Sequence, residues 1–139
     1  MCELCERTGG DLLWQNGLCR VVLVEDEDYP GFCRVILNRH VAEMTDLDDA
    51  DRIALMRVVF GVEKAVRDAL FPDKINLASL GNVVPHLHWH VIPRFESDRH
   101  FPNPVWGKAL RDESVPLPPG WEKALVSGLS AFLENEVGK

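Results

Sequence analysis

The sequence predicts a single α+β domain built on a mainly antiparallel sheet of about five strands, with one long helix and a C-terminal helix. Two observations support this fold class. Runs with strand character follow one another directly, and helical periodicity is confined to two separate stretches. The length of 139 residues and the 46% hydrophobic content suit one packed core and are too small for two full domains.

The first part of the chain contains three predicted strands. Two β-prone runs, 12–14 and 18–24, flank Gln15-Asn16-Gly17, and an Asn-Gly pair tolerates the positive φ angles of a tight turn. These runs therefore predict a hairpin. The acidic stretch 25–31 ends in Pro-Gly and predicts a turn, after which strand character resumes over 32–37.

A long helix is predicted next, because apolar residues recur every three or four positions from about Asp46 to Leu70. Thr45 is the expected N-cap, and aspartates in the first turn suit the positive end of the helix dipole. Pro72 should end the helix, since proline lacks the N–H that a helix interior needs.

The rest of the chain begins with a second predicted hairpin, whose strands 75–80 and 83–92 are joined by a Gly-Asn bend. Segment 96–119 contains five of the nine prolines, which is typical of an irregular arm on the surface. Trp106 lies in this arm, which can cover a pocket or reach a partner subunit. A final helix is predicted over 120–137, with its leucines on one side.

The charge balance excludes some classes of partner. Fifteen Lys and Arg against 22 Asp and Glu give a net charge of −7, which does not suit a protein that binds the backbone of a nucleic acid polymer. The acidic N-terminal stretch lacks an apolar targeting segment, and no run approaches the length of a membrane span. We therefore expect a cytoplasmic protein without a membrane partner, whose four cysteines are thiols or metal ligands.

Three of the five histidines stand at alternate positions, His86, His88 and His90. If 83–92 is a strand, their side chains share one face, with neighbouring rings about 6.5–7 Å apart. Such a face can surround a small anionic group such as a phosphate. Three hypotheses stay open: a solvent-facing strand, a metal cradle with all three rings as ligands, and nucleophilic catalysis in which one imidazole attacks phosphorus.

The heptapeptide His86-Leu87-His88-Trp89-His90-Val91-Ile92 resembles the motif His-φ-His-φ-His-φ-φ of the histidine triad (HIT) superfamily, where φ is hydrophobic. The resemblance extends to Cys2-x-x-Cys5, to Asn38-Arg39-His40 and to the long helix, and leaves only the C-terminal arm outside. It implies one HIT-like domain over 1–139 that forms a homodimer. It also implies a hydrolase that cleaves nucleotides at the α-phosphate through a covalent nucleotidyl-histidine.

The resemblance implies a catalytic role for each histidine. His88 would be the nucleophile that carries the nucleotidyl group. His90 would contact the phosphate and help to protonate the leaving group. His86 would orient the site, either through its backbone carbonyl on His88 Nδ1 or by a structural contact.

Three further residues are implied as substrate-binding. Asn76 matches a strand asparagine that lines the family's pocket. Asn82 occupies the place of a Gln or Asn that binds a phosphate oxygen, with turn formation after Gly81 as its alternative role. Arg94 would meet additional phosphate charge by bidentate contact.

The substrate stays open between several alternatives. His90 stands where the transferase branch of the superfamily typically has Gln, which favours water as the acceptor and therefore hydrolysis. Pro93-Arg94 resembles the branch that cleaves dinucleoside polyphosphates such as diadenosine tetraphosphate. The alternatives are an adenosine phosphoramidate hydrolase, a metal-dependent hydrolase using all three histidines, and a catalytically slow nucleotide-binding or adaptor module. Val83 favours the last, because many family members have Ser or Thr at that position.

A metal site is implied at the N-terminus. Cys2, Cys5, His40 and His86 match the four ligands of zinc-containing family members, so the resemblance implies one structural zinc ion and no organic cofactor. The alternative is that both cysteines belong to a mobile terminus and that His40 is an exposed turn residue.

Overall fold

An antiparallel five-stranded sheet forms the centre of the protein. The computed structural model describes residues 2–112 and 114–136. The strands are β1 (Asp11–Gln15), β2 (Cys19–Leu23), β3 (Cys33–Leu37), β4 (Lys74–Ala78) and β5 (His88–Arg94). Their spatial order is β1-β2-β3-β5-β4, with every neighbouring pair antiparallel. The predicted α+β class and the predicted number of strands are therefore confirmed.

Over the described residues, three α-helices accompany the sheet. They are α1 (Glu3–Glu6), α2 (Asp49–Leu70) and α3 (Trp121–Glu136). The sequence predicted α2 and α3 but not α1, because one turn of four residues is too short for a periodic pattern to appear. Of the predicted C-terminal helix over 120–137, residue 137 lies outside the described residues.

Helix α2 begins later than expected. Its N-cap is Asp48, whose side chain accepts a hydrogen bond from the Asp51 backbone N–H at 2.8 Å. Thr45 belongs to a separate 3-10 turn over Met44–Asp46, so the prediction that it caps the helix is wrong. The helix ends at Leu70, two residues before Pro72, as predicted.

The predicted strand 83–92 is wrong over its first five residues. Strand β5 starts at His88, and residues 79–87 connect it irregularly to β4. Pro85 has no N–H to give to a ladder. The His86 N–H turns back to the Val84 carbonyl at 2.8 Å, while the Leu87 N–H donates to the Val41 carbonyl at 2.7 Å. His86 therefore precedes the strand that carries His88.

Helix α3 packs closely on α2. Its Leu125, Leu129 and Leu133 are buried. A side chain at Gly61 of α2 would place its Cβ only 2.5 Å from Leu133 Cδ2, so glycine permits this close approach. No helix within the described residues is both long and apolar enough to cross a membrane.

The two faces of the sheet have different roles. Side chains at odd positions of the central strands, such as Val21, Val35 and Val91, belong to the main core with α2 and α3. Side chains at even positions point to the other face, where the arm and the N-terminal segment lie. Within the described part of segment 96–119 there is neither helix nor strand, as predicted. The second face carries the candidate site.

Candidate active site

His88 and His90 project from the same face of β5, because they are two residues apart in a strand. Their ring centroids are 5.0 Å apart, and the rings meet edge to face at 82°. The rings are closer than the backbone spacing alone predicts, because the side chains lean towards each other. Both side chains border a cavity of about 450 Å³. The residues lining it are Arg34, Leu80, Gly81, Asn82, Val83, Val84, His88, His90 and Trp106.

His86 does not share this face. Its ring is fully buried, and its Nε2–H donates to the Leu37 carbonyl at 2.6 Å. Its own backbone carbonyl accepts a hydrogen bond from His88 Nδ1 at 2.5 Å. The expectation that three rings surround one phosphate is therefore wrong, since His86 contacts His88 through its backbone carbonyl and its ring points elsewhere.

The tautomer of His88 follows from this contact. A carbonyl oxygen can only accept, so His88 Nδ1 carries the proton, and in the neutral ring Nε2 carries the lone pair. A histidine held in this way presents a nucleophilic nitrogen with a defined orientation.

His90 is a neutral imidazole at physiological pH. Burial lowers its pKa to about 4, and the charges of His88 and Arg34 act in the same direction. The ring meets Phe32 and Trp106 edge-on, at centroid distances of 5.6 and 5.0 Å. Aromatic contacts therefore fix its position beside His88.

Trp106 brings the proline-rich arm to the edge of the cavity. Its side chain is half exposed while it contacts His90. The arm was expected either to cover a pocket or to reach a partner subunit. The position of Trp106 at the cavity edge fits the first of these roles within a single chain.

Arg94 and Asn76 are absent from the residues that line this cavity. The Arg94 guanidinium is buried, and its Nε and one terminal nitrogen donate to the Asp98 carboxylate at 2.8 and 3.1 Å. Its remaining contacts are the Asn76 side-chain oxygen at 2.8 Å and the Asn103 carbonyl at 2.7 Å. The expectation that Arg94 and Asn76 contact substrate does not fit this geometry, because both lie outside the cavity lining and the Arg94 nitrogens already donate to Asp98, Asn76 and Asn103.

Asp98 is the centre of that buried network. Its carboxylate also accepts hydrogen bonds from the Tyr29 hydroxyl and from the backbone N–H groups of Phe95, His100 and Phe101. Burial raises the pKa of this carboxyl, but hydrogen bonds from Arg94 and the backbone outweigh that effect and lower the pKa to about 2. The network attaches the start of the arm to the sheet.

Asn82 and Arg34 do border the cavity. The exposed Asn82 side chain lies beside Gly81, whose φ of 71° makes the bend that the sequence predicted. Arg34 was not singled out from the sequence. The signal that could have found it is a charged residue in the middle of an otherwise apolar strand.

A second cluster lies next to this site and contains all four predicted metal ligands. The Nδ1 atoms of His40 and His86 are 3.2 Å apart, and His86 Nδ1 lies 3.3 and 3.4 Å from the thiol sulfurs of Cys2 and Cys5. Ideal tetrahedral zinc bonds of ~2.0–2.1 Å to nitrogen and ~2.3 Å to sulfur imply roughly 3.3–3.4 Å between two nitrogens, 3.5–3.6 Å between nitrogen and sulfur and 3.8 Å between two sulfurs. The donors therefore fit one tetrahedral ion.

Arg20 holds the segment that carries the two cysteines. Its side chain is almost fully buried and donates to the carbonyls of Leu4, Arg7 and Thr8 at 2.6, 3.1 and 3.0 Å. These carbonyls lie in α1 and just after it. Helix α1 is therefore attached to the sheet with Cys2 and Cys5 facing His86.

Comparisons with known proteins agree with this geometry. The family model described as the HIT domain matches residues 8–97. A curated relative, AP-4-A phosphorylase from Mycobacterium tuberculosis, is 28% identical in an alignment of 105 residues that covers 68% of this chain and 54% of that protein. The chain thus spans about half the length of the curated relatives it matches.

Solved structures share the whole fold. A histidine triad protein from Marinobacter aquaeolei VT8 is 30% identical, with 97% of this chain and 98% of that chain covered and a TM-score of 0.72. A zinc-bound histidine triad family protein from Mycobacterium smegmatis is 20% identical, with 97% of both chains covered and a TM-score of 0.67. At that lower identity the likeness shows the fold alone.

Proposed function

This chain belongs to the HIT domain family, and from that premise we propose that it is a nucleotide-processing hydrolase that cleaves at the α-phosphate through His88. The observation that carries the proposal is the hydrogen bond from His88 Nδ1 to the His86 carbonyl, which leaves His88 Nε2 as the nucleophilic nitrogen beside a cavity. The size of the cavity, about 450 Å³, is within the usual range for small-molecule sites.

The proposed reaction has two steps. His88 Nε2 attacks the α-phosphorus, so that a P–N bond forms and the bond from phosphorus to the leaving group breaks. His90 donates a proton to the leaving group. A bound phosphate anion favours the imidazolium form of His90 and so offsets the burial that lowers its pKa in the free protein. Water then attacks phosphorus and the P–N bond to His88 breaks, while His90 accepts a proton from the water; the nucleotide is released and both histidines are restored.

Two substrate classes are candidates. The name of the curated relative supports a dinucleoside polyphosphate such as diadenosine tetraphosphate. In the sequence, Arg94 was the residue that favoured this class, but the structure shows its guanidinium buried against Asp98. Adenosine phosphoramidate is therefore the alternative substrate. A metal-dependent hydrolase with three histidine ligands does not fit, because His86 Nδ1 faces the cysteines rather than His88 and His90.

A substrate panel tests this proposal. We expect purified protein to release AMP from diadenosine tetraphosphate, from a fluorogenic adenosine phosphoramidate, or from both. Mass spectrometry of protein denatured during turnover should find one nucleotidyl group on the peptide that contains His88. If AMP protects the protein from thermal unfolding while neither substrate is turned over, the slow binding module is correct instead.

We further propose that Cys2, Cys5, His40 and His86 hold one structural zinc ion. The ion would crosslink α1 to the residues flanking β3 and β5, and four protein ligands would leave no open position for catalysis. The support is the agreement of the donor separations with a tetrahedral ion.

Metal analysis checks the zinc proposal. Protein purified without chelator should contain about one equivalent of zinc, and removing the ion should lower Tm because binding and folding of such sites are coupled. Cys5→Ala should lose the zinc. Cys19→Ala removes a thiol buried in the core outside the cluster and should keep it. Less than a few tenths of an equivalent in the parent protein would reject the site.

We also propose that the protein forms a homodimer. The support is that β4 is an edge strand of the described sheet, and an edge with unpaired backbone groups can pair with a second copy. Light scattering should then give twice the chain mass of 15.7 kDa, and a mass of one chain at all concentrations would oppose the proposal.

A further inference from the structure

Arg34 stands directly opposite the proposed proton donor. In the register of β3 and β5, Arg34 pairs with His90, so both side chains emerge on the same face of the sheet. The side chain is partly buried and lines the cavity together with His88 and Trp106. The sheet therefore places a cation on the strand next to the one that carries His88 and His90.

The guanidinium of Arg34 is poorly satisfied by the protein. Its Nε is buried and has no hydrogen-bond partner among the described residues. Within the part of the chain that the structure describes, its only side-chain hydrogen bond is a long one, from a terminal nitrogen to the Gly9 carbonyl at 3.3 Å. Arginine offers five N–H donors, and burying them without partners costs free energy.

Arg94 provides an internal comparison. It projects from the neighbouring strand on the same face, yet its nitrogens are shared among Asp98, Asn76 and Asn103. Among the described residues, Arg94 has a hydrogen-bonded carboxylate, whereas Arg34 has none and is influenced only by the more distant charge of Glu3. A cation beside a cavity without a hydrogen-bonded carboxylate can form charge-assisted hydrogen bonds with an anion from outside the protein.

The charges around the cavity support this view. Among the described residues that line it there is no Asp or Glu, and Arg34 is the single Lys or Arg. The whole chain has a net charge of −7, which opposes the approach of an anionic nucleotide. Burial lowers the pKa of Arg34 and the charge of the Glu3 carboxylate raises it; an arginine remains protonated in proteins, so the local charge is retained.

We propose that Arg34 binds the phosphate of the nucleotide, with its Nε and a terminal N–H donating to two phosphoryl oxygens. This inference rests on the proposed function and gives Arg34 the phosphate-binding role that the resemblance had implied for Arg94. A planar guanidinium matches two oxygens of one phosphate. Because negative charge builds up on the phosphoryl oxygens as His88 attacks, Arg34 stabilises the transition state as well as the bound substrate.

The experiment compares two ligands that differ only in the phosphate. Binding of AMP and of adenosine is measured by calorimetry for the parent protein, Arg34→Met and Arg34→Lys. Methionine keeps an unbranched apolar stem of similar reach without the charge, and lysine keeps the charge without the fork. Arg57→Met is the matched control, since it removes one positive charge from an exposed position of α2 outside the cavity.

We expect Arg34→Met to weaken AMP binding by about 10–100-fold, the effect of losing hydrogen bonds between charged groups, while adenosine binding changes by less than about twofold. Arg34→Lys should lie between the parent protein and Arg34→Met. The kcat/KM for any substrate that the parent cleaves should fall in the same order. Arg57→Met should match the parent in every measurement.

Each other result has a defined meaning. If Arg34→Met binds AMP as tightly as the parent, or if its affinities for AMP and adenosine fall by the same factor, Arg34 does not bind phosphate. The inference then fails while the proposed function stands. If the parent binds no AMP and cleaves no substrate, both fail. Should Arg34→Met not fold, Arg34→Lys decides alone, because parental AMP affinity and kcat/KM in that variant would exclude the forked contact.

Discussion

Replacing His88 with Asn is expected to reduce turnover by about 10⁴-fold or more, because the reaction then has no nucleophile to form the nucleotidyl intermediate. Asparagine keeps a polar N–H group near the His86 carbonyl, which His88 Nδ1 contacts at 2.5 Å, so the local fold should survive. The measurement is the initial rate of AMP release together with mass spectrometry of protein denatured during turnover. No nucleotidyl adduct should be found in the variant.

Two further variants separate the histidines. The turnover rate of His90→Asn should be about 10²–10⁴-fold lower than that of the parent, the usual contribution of a general acid, but this variant should still form the adduct. His100→Asn is the control, because this histidine lies outside the cavity lining and contacts Tyr29. It should retain the parental rate. Parental activity in His88→Asn would mean that another residue performs the chemistry.

The second large effect is on stability. Asp98→Asn is expected to reduce the free energy of unfolding by about 3–5 kcal/mol, because it leaves the buried Arg94 guanidinium without its counter-charge. Both partners of this ion pair are almost fully buried, with side chains 2% and 1% exposed. Denaturant unfolding followed by tryptophan fluorescence and circular dichroism measures the change.

The chain contains a matched control for this variant. Lys64 and Asp68 form an ion pair with the same spacing of four residues and a similar distance, 2.9 Å, but their side chains are 55% and 49% exposed. Asp68→Asn should therefore cost less than about 0.5 kcal/mol. Equal effects of Asp68→Asn and Asp98→Asn would contradict the structural role of the buried network.

The pH dependence gives an independent check on Asp98. Its pKa of about 2 in the folded protein lies below the value of ~3.9 for an unfolded chain, so folding favours the ionised form. This contribution, about 2–3 kcal/mol, is present above pH ~4 and is lost as the pH falls towards 2. The difference in unfolding free energy between the parent and Asp98→Asn should therefore shrink across this range.

The sequence was most informative where one repeating pattern determined the structure. Alternation in a strand is enough to place His88 and His90 on one face, and helical periodicity is enough to identify α2 and α3. Both patterns are local, because the geometry of a strand or helix dictates which side chains are neighbours. The alternation argument failed at His86, because β5 begins only at His88. Pro85 cannot donate to the sheet, and the Leu87 N–H donates to the Val41 carbonyl rather than to a neighbouring strand.

The metal cluster shows a different limit. The spacing of Cys2 and Cys5 suggests a metal site, but His40 and His86 lie 35 or more residues further along the chain, and the resemblance alone connected them in advance. Their four donor atoms come within 4.8 Å of one another only because Arg20 and the sheet hold α1 against the residues that flank β3 and β5.

By itself, the sequence determined which residue types are available and which of them share a face, since both follow from composition and from the repeat of strand and helix. Tertiary structure alone decided the partner of each charged group. Arg94 finds a carboxylate four residues away once the arm turns back, whereas Arg34 is left facing the cavity with its Nε unpaired among the described residues. The energy of a buried charge depends on the atoms that surround it, and those atoms are assembled only when distant parts of the chain come together.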